Sequence, residues 1–174
     1  LDSKFLIVNL SELPVYINHI IVAVRYDDQE RVRRLRTYHY VSSEEVHEEP
    51  AKAQQRLRGG LLNPGDHFLL GDTDVLLAWM MEEDETDQET PHAEKLRQAI
   101  SQLDTIDIRV IVTVGVSDRP VGSSRRFEVA KTDTDILIRP VYAQTRHLTS
   151  WRERKIVEEW RRQLLEEESR SMAT

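Results

Sequence analysis

Cysteine is absent from the 174-residue chain. That excludes disulfides, thiolate metal sites and a cysteine nucleophile, and leaves cytoplasm and bacterial periplasm equally open. No apolar run approaches the roughly 20 residues of a membrane-spanning helix. The longest, "HIIVAV" from His19 and "VLLAWMM" from Val75, are core-sized. Positive charge is in the minority: 24 Lys and Arg stand against 31 Asp and Glu, a net charge of −7. A general nucleic-acid binder is usually basic, so nucleic acid is not an expected partner. No stretch of these residues has the pattern of a secretory signal, and no internal repeat is expected. HExxH, GxSxG and Walker motifs are missing too, which removes the commonest zinc-protease, hydrolase and P-loop signatures.

What is present is a charged chain with 39% apolar residues, enough for one domain with a real core. β-branched and aromatic residues open it with two strands, broken at Ser11–Pro14 because Pro14 cannot donate a ladder hydrogen bond. Ile17, Ile21, Val22 and Val24 predict a long buried strand, interrupted by Asn18 and His19; "DDQERVRR" reads as its hairpin connection and "LRTYHYVS" as the next strand. Pro50 suits the first turn of a helix that Gly59 or Gly60 would stop. "NPGD" is a turn, with φ preset by Pro64 and positive φ permitted at Gly65. "HFLLGD" is a short strand, and "DVLLAWMMEE" fits helix or strand. Thr90-Pro91 starts a helix with Leu96, Ile100 and Leu103 on one side. Ile106, Ile108, Val110, Val112, Val114 and Val116 alternate without fault, with Asp107, Arg109, Ile111 and Thr113 on the opposite face. This period of two defines a strand. "SRRFEVA" and "DILIRPVYA" are shorter strands.

The charged tail is a helix capped by Ser150, with Ile156, Trp160 and Leu164 in a narrow apolar stripe. Glu166, Glu167 and Glu168 are the wrong sign for a helix C-terminus, so fraying is expected unless a neighbour covers that end. The organisation expected is a β-domain over residues 1–148 and a charged helix and tail over 149–174.

The stretch Val121–Ile138, "VGSSRRFEVAKTDTDILI", carries the sharpest chemical question. Gly122-Ser123 followed by Asp133-x-Asp135 in an apolar run resembles the polymerase-β-like nucleotidyltransferases. That resemblance implies Gly122 and Ser123 at a triphosphate, and Asp133 and Asp135 sharing a strand face to hold Mg²⁺ for in-line displacement. Three features depart from the family. A turn, "SDRPV", precedes Gly122; no Asp follows Ile138, and every later Glu lies in the tail helix; "RRFEVA" alternates as a strand does. The alternative is one long hairpin, with Pro120 and Gly122 at its bend and "KTDTD" as a surface turn.

"VGSSRRFEV", "LIVNLSELPVYINHI" and "QTRHLTSW" together resemble uncharacterised bacterial proteins with an N-terminal membrane anchor followed by an Ig-like sandwich. The resemblance spans about half the chain and brings no known activity. With the strand pattern it implies a mainly β fold, an antiparallel Ig-like β-sandwich with inserted short helices and a C-terminal helix. It also implies a soluble domain tethered by an apolar segment upstream of Leu1.

The remaining candidates favour plain surface roles. The six histidines (His19, His39, His47, His67, His92 and His147) have no ligand spacing. The acidic run from Glu82 to Glu89 lacks the glycine and spacing of a calcium loop. Arg31–Arg36 with Arg125 and Arg126 reads as charge that keeps a hairpin soluble. The expectation is a non-enzymatic interaction or sensing domain with no cofactor and no metal. Its partner would be another protein or a second copy, reached through a sheet edge or the tail helix at Trp151, Ile156, Trp160 and Leu164. The nucleotidyltransferase is the alternative.

Overall fold

The structure, a computed structural model, describes residues 4–26, 29–35, 39–41, 60–72, 76, 80, 102–115, 119–131 and 136–171. They form β1 (Lys4–Val8), β2 (Val15–Tyr26), β3 (Gln29–Arg34), β4 (His39–Val41), β5 (Gly60–Leu62), β6 (His67–Asp72), β7 (Thr105–Val114), β8 (Pro120–Lys131), β9 (Ile136–Pro140), β10 (Arg146–Leu148) and α1 (Arg154–Ser171). The chain is mainly β. A small sheet has the order β1-β6-β4 and a large one β10-β8-β7-β2-β3, with β5 beside the start of β2 and β9 beside the end of β8. Every pairing is antiparallel.

The period of two in β7 decides how the layers stack. Ile106, Ile108 and Val110 face a core shared with Phe5, Phe68 and Leu70 of the small sheet. Val112 and Val114 join it half-buried, as the alternation requires. The Phe5 and Phe127 rings meet edge to face with centroids 5.0 Å apart, the arrangement the aromatic quadrupole favours. Leu76 and Met80, both in helical backbone, and Leu103 close the same core, so the ambiguous "DVLLAWMMEE" is helical at those two positions.

β2 would have the wrong face inward along half its length without one irregularity. Ile17 lies opposite Val112, yet His19 lies opposite Ile111, so Asn18 is an extra residue, a β-bulge. The bulge switches the inward set from odd to even positions. Val15 and Ile17 precede it; Ile20, Val22 and Val24 follow it, all in one core. The Asn18 Oδ1 accepts a 3.0 Å hydrogen bond from the Thr113 hydroxyl.

The other face of the large sheet is also buried. Ile21, Ala23, Val32, Ile111 and Leu148 form a second core with Val157, Trp160 and Leu164 of α1. Each fully buried large apolar side chain contributes roughly 1.5–3 kcal/mol. Burial on both faces explains the unbroken Ile20–Val24 run, which a one-sided strand would interleave with polar residues. Gly122 is the seat of the helix. A Cβ there would stand 2.8 Å from Val157 Cγ2 and 3.0 Å from Trp160 Cζ3.

Several sequence expectations change. "QERVRR" is strand β3, not a connection, because a sheet edge lets its charged side chains reach water. Gly60 begins β5, close against Ile17. Gly122 lies inside β8; the bend comes earlier, at Gly115 with φ 56°. Val157 joins Trp160 and Leu164 as a fully buried residue of the stripe, while Ile156 is only half-buried. The helix continues to Ser171 despite its acidic end, and within it Arg162 pairs with Glu159. The expected helices over 50–58 and 91–100 lie outside the described residues. No helix among the described residues is long and apolar enough to cross a membrane.

Gly122→Val is expected to lower unfolding stability by about 1–3 kcal/mol through overpacking under α1. A urea titration followed by tryptophan fluorescence measures it; wild-type stability would show that the helix is not seated on this glycine.

Candidate functional site

Three places concentrate polar or exposed apolar groups: a charged cluster under α1, the Gly122–Ser123 stretch, and the end of the molecule around β1.

The first follows from the sheet register. Asp107 and Arg109 share the α1-facing side of β7, and Arg126 stands opposite Asp107 on β8. Arg109 is 5% exposed and Asp107 7%, so neither meets bulk water. Arg109 Nε donates to Asp107 Oδ2 at 3.2 Å, its Nη2 pairs with Glu30 of β3, and Arg126 Nη2 reaches the same Asp107 oxygen at 3.2 Å. From the helix, Gln163 Oε1 lies 3.5 Å from Arg109 Nη1, and the Trp160 ring centroid lies 5.6 Å from the guanidinium carbon. Two cations meet two carboxylates, so the cluster is charge-balanced. It ties helix to sheet, with the Arg126 and Glu30 side chains at its solvent rim.

At the second place, Ser123 of β8 lies opposite His147 of β10, with Oγ 3.0 Å from Nδ1. Gly122 and Ser123 are therefore extended strand, not a strand-to-helix turn. Asp133 and Asp135 lie outside the described residues. Among the described residues no three His, Asp or Glu side chains gather as a metal site.

The third place is built by a buried asparagine. Asn9 follows β1 and is 5% exposed. Its Nδ2 donates to Leu13 O and Leu62 O, both at 2.9 Å, and its Oδ1 accepts from the Ser11 N–H at 3.0 Å. Its backbone N–H donates to Asp66 O and its C=O accepts from Gly65 N. Gly65 takes φ 83° in the expected Asn63–Asp66 turn. The Pro14 C=O accepts from Gly115 N and ties the loop to the end of β7. These bonds fix residues 10–13 as a tight loop. Because the asparagine occupies its inside, Leu10 and Leu13 point out, Leu10 at 90% exposure. Leu61 and Tyr16, paired across β5 and β2, are exposed beside it. Leu6 and Val8 add two more apolar groups, alternating with the core-facing Phe5 and Ile7. Leu10, Leu13, Tyr16 and Leu61 are exposed at the Asn9 end of the large sheet, and Leu6 and Val8 on the outer side of the small sheet; exposed apolar groups of this kind mark interaction sites.

Sequence reasoning missed this group because "NLSELP" reads as a break; the available signal was leucine on both sides of a turn. The residues expected to bind a partner divide. Trp160 and Leu164 are buried on the chain's own sheet, and Ile156 is half-buried beside them. Trp151 remains 66% exposed, with Arg152 over its ring at 5.5 Å. No protein-family model matches the chain, and neither curated proteins nor solved structures supply a match.

The helix N-terminus carries a titratable bond. The Ser150 hydroxyl donates to Glu153 Oε2 at 2.7 Å and the Ser150 N–H to the same oxygen at 3.1 Å, while the Glu153 N–H approaches Ser150 Oγ. This is a reciprocal capping box. The Ser150 hydroxyl, then its N–H, hold the Glu153 carboxyl below its ordinary 4.5.

Two outcomes test these arrangements. Arg109→Met leaves the buried Asp107 carboxylate with Arg126 alone and is expected to cost about 1–3 kcal/mol. Asp107→Leu combined with Arg109→Met should cost less than Arg109→Met alone, as urea midpoints would show. Glu153→Gln should lower the melting temperature at neutral pH. A lowered folded-state pKa stabilises above the ordinary value and is lost as pH falls through the lowered one. Melting curves of wild type and variant should therefore converge in acid; a gap that persists would remove the carboxylate from the cap.

Proposed function

We propose that this chain is a non-enzymatic interaction domain, an Ig-like sandwich whose contact surface is the apolar end around β1 and Asn9. The observation that carries this reading is Leu10. A leucine almost fully exposed on a loop locked by a buried asparagine is held out by structure; Leu13 shares its loop, and Leu6, Val8, Tyr16 and Leu61 are exposed on the strands that adjoin it. Burying such side chains against a partner recovers roughly 25 cal/mol per Å² of apolar surface. Two antiparallel sheets closing on one core support the sandwich part of the reading. The resemblance to anchored bacterial proteins supports a place in a membrane-tethered protein, which an apolar run of about 20 residues upstream of Leu1 in the parent reading frame would bear out.

Leu10→Glu with Leu13→Glu is the direct test. Both positions are exposed, so unfolding stability should change by no more than about 0.5 kcal/mol. A photoreactive amino acid at Leu10 should form a covalent protein adduct in cells that make the chain. The same probe in a Leu13→Glu background should lose it. Absence of any adduct, or tight Mg²⁺-dependent ATP binding abolished by Asp133→Asn with Asp135→Asn, would overturn the reading.

A further inference from the structure

We infer that the partner of the β1 surface is a second copy of this chain, joined by antiparallel pairing of β1 with itself about a two-fold axis at Leu6. The inference rests on the reading of the β1 end as a contact surface, and names its occupant.

The hydrogen-bonding edge of β1 is the starting point. β1 ends the small sheet, pairing with β6 on one side and with no described strand on the other. Asn9 turns both its N–H and its C=O toward the β6 side, to Asp66 and Gly65. Backbone groups alternate along a strand. The one register shift of this pair makes Leu70 of β6 the extra residue and leaves β1 regular, so the N–H and C=O of Val8 and Leu6 point to the open side.

Natural sheets protect such edges with charge, shortness or proline. The other described edge strands of this protein follow that rule. β3 carries Glu30, Arg31, Arg33 and Arg34; β4, β5 and β10 have three residues each; β9 ends in Arg139-Pro140. β1, "KFLIV", has none of these devices beyond Lys4 at its outer end, and it presents Leu6 at 56% and Val8 at 43% exposure.

The strand is complementary to itself. Centred on Leu6, antiparallel pairing sets Leu6 against Leu6, Phe5 against Ile7 and Lys4 against Val8. The outward groups of Leu6 then exchange two backbone hydrogen bonds across the axis. Core-facing Phe5 and Ile7 extend the inner apolar face from one copy to the next. The two Lys4 positions fall about 13 Å apart along the strands, at roughly 3.3 Å per residue, so the only charged residue in the strand is not set against its own copy. Each Lys4 already has Asp72 opposite on β6. An isologous contact of this kind closes at two copies.

The absence of native cysteine makes the test clean. Sedimentation of the wild-type chain should show a concentration-dependent monomer–dimer equilibrium. Leu6→Cys should oxidise to a covalent dimer, because directly opposed residues lie within disulfide reach. Val8→Cys alone should not, while Lys4→Cys with Val8→Cys should. Leu165→Cys, an exposed position on α1, sets the background for random collision. A chain that stays monomeric at every concentration, with Leu6→Cys linking no faster than Leu165→Cys, overturns the inference. So does a dimer in which Val8→Cys links as fast as Leu6→Cys. A photoreactive probe at Leu6 separates the two levels of the argument. An adduct with a different protein ends the self-pairing inference and leaves the interaction reading standing; no adduct of any kind ends both.

Discussion

β2 and β7 run side by side from the Val15–Val114 pair to the Arg25–Thr105 pair, and each face of this pair lies under a different layer. A strand pair buried on both faces cannot slip by one residue without turning every side chain to the wrong layer. The bulge at Asn18 is thus a requirement of the register. It lets the short first segment of β2 and the long second one serve the same core. β8, β3 and β5 then add to a pair whose faces are already assigned.

The two layers differ in chemistry. The face shared with the small sheet is apolar from Phe5 and Phe68 to Ile106 and Met80, with Arg125 of β8 laid over the Phe127 ring at its margin. The face under α1 is apolar near Ile111 and Gly122 and ionic near Asp107 and Arg109. A greasy helix could slide or rotate on a flat sheet. Arg109, gripped by Asp107 and Glu30 and capped by Trp160, defines where along the sheet the helix stops. Buried ion pairs add little net stability over apolar packing, and positional specificity is the return that fits this geometry.

Much of this was legible in the residues. Period two in Ile106–Val114 carried β7 and its inward face, and "NPGD" carried its turn. Trp160 and Leu164 announced an apolar helix stripe. What was not legible depends on neighbours that sequence spacing does not reveal. β3 is a strand although Glu30, Arg31, Arg33 and Arg34 look like a loop, because edge position decides whether charge is tolerated. β5 and β10 are too short for any period to show. Gly122 reads as a turn glycine until Val157 and Trp160 are placed above it. Asp107 and Arg109 were placed on the correct face, but their burial follows only from the helix laid over them. The exposed leucines around Asn9 were invisible for the opposite reason: nothing in spacing tells that an asparagine will turn inward and a leucine outward.

The position of α1 after every strand it covers has a consequence for how the protein is made. A chain emerging from the ribosome would present β2, β3, β7 and β8 before any of Val157, Trp160 or Leu164 existed outside the exit tunnel. Ile21, Ala23 and Ile111 would face solvent throughout that interval. The sheet can pair during synthesis, but its second face stays open until the helix arrives. In a cell, that interval is the stage at which a chaperone has most to shield, and a stalled or truncated chain would keep the liability permanently.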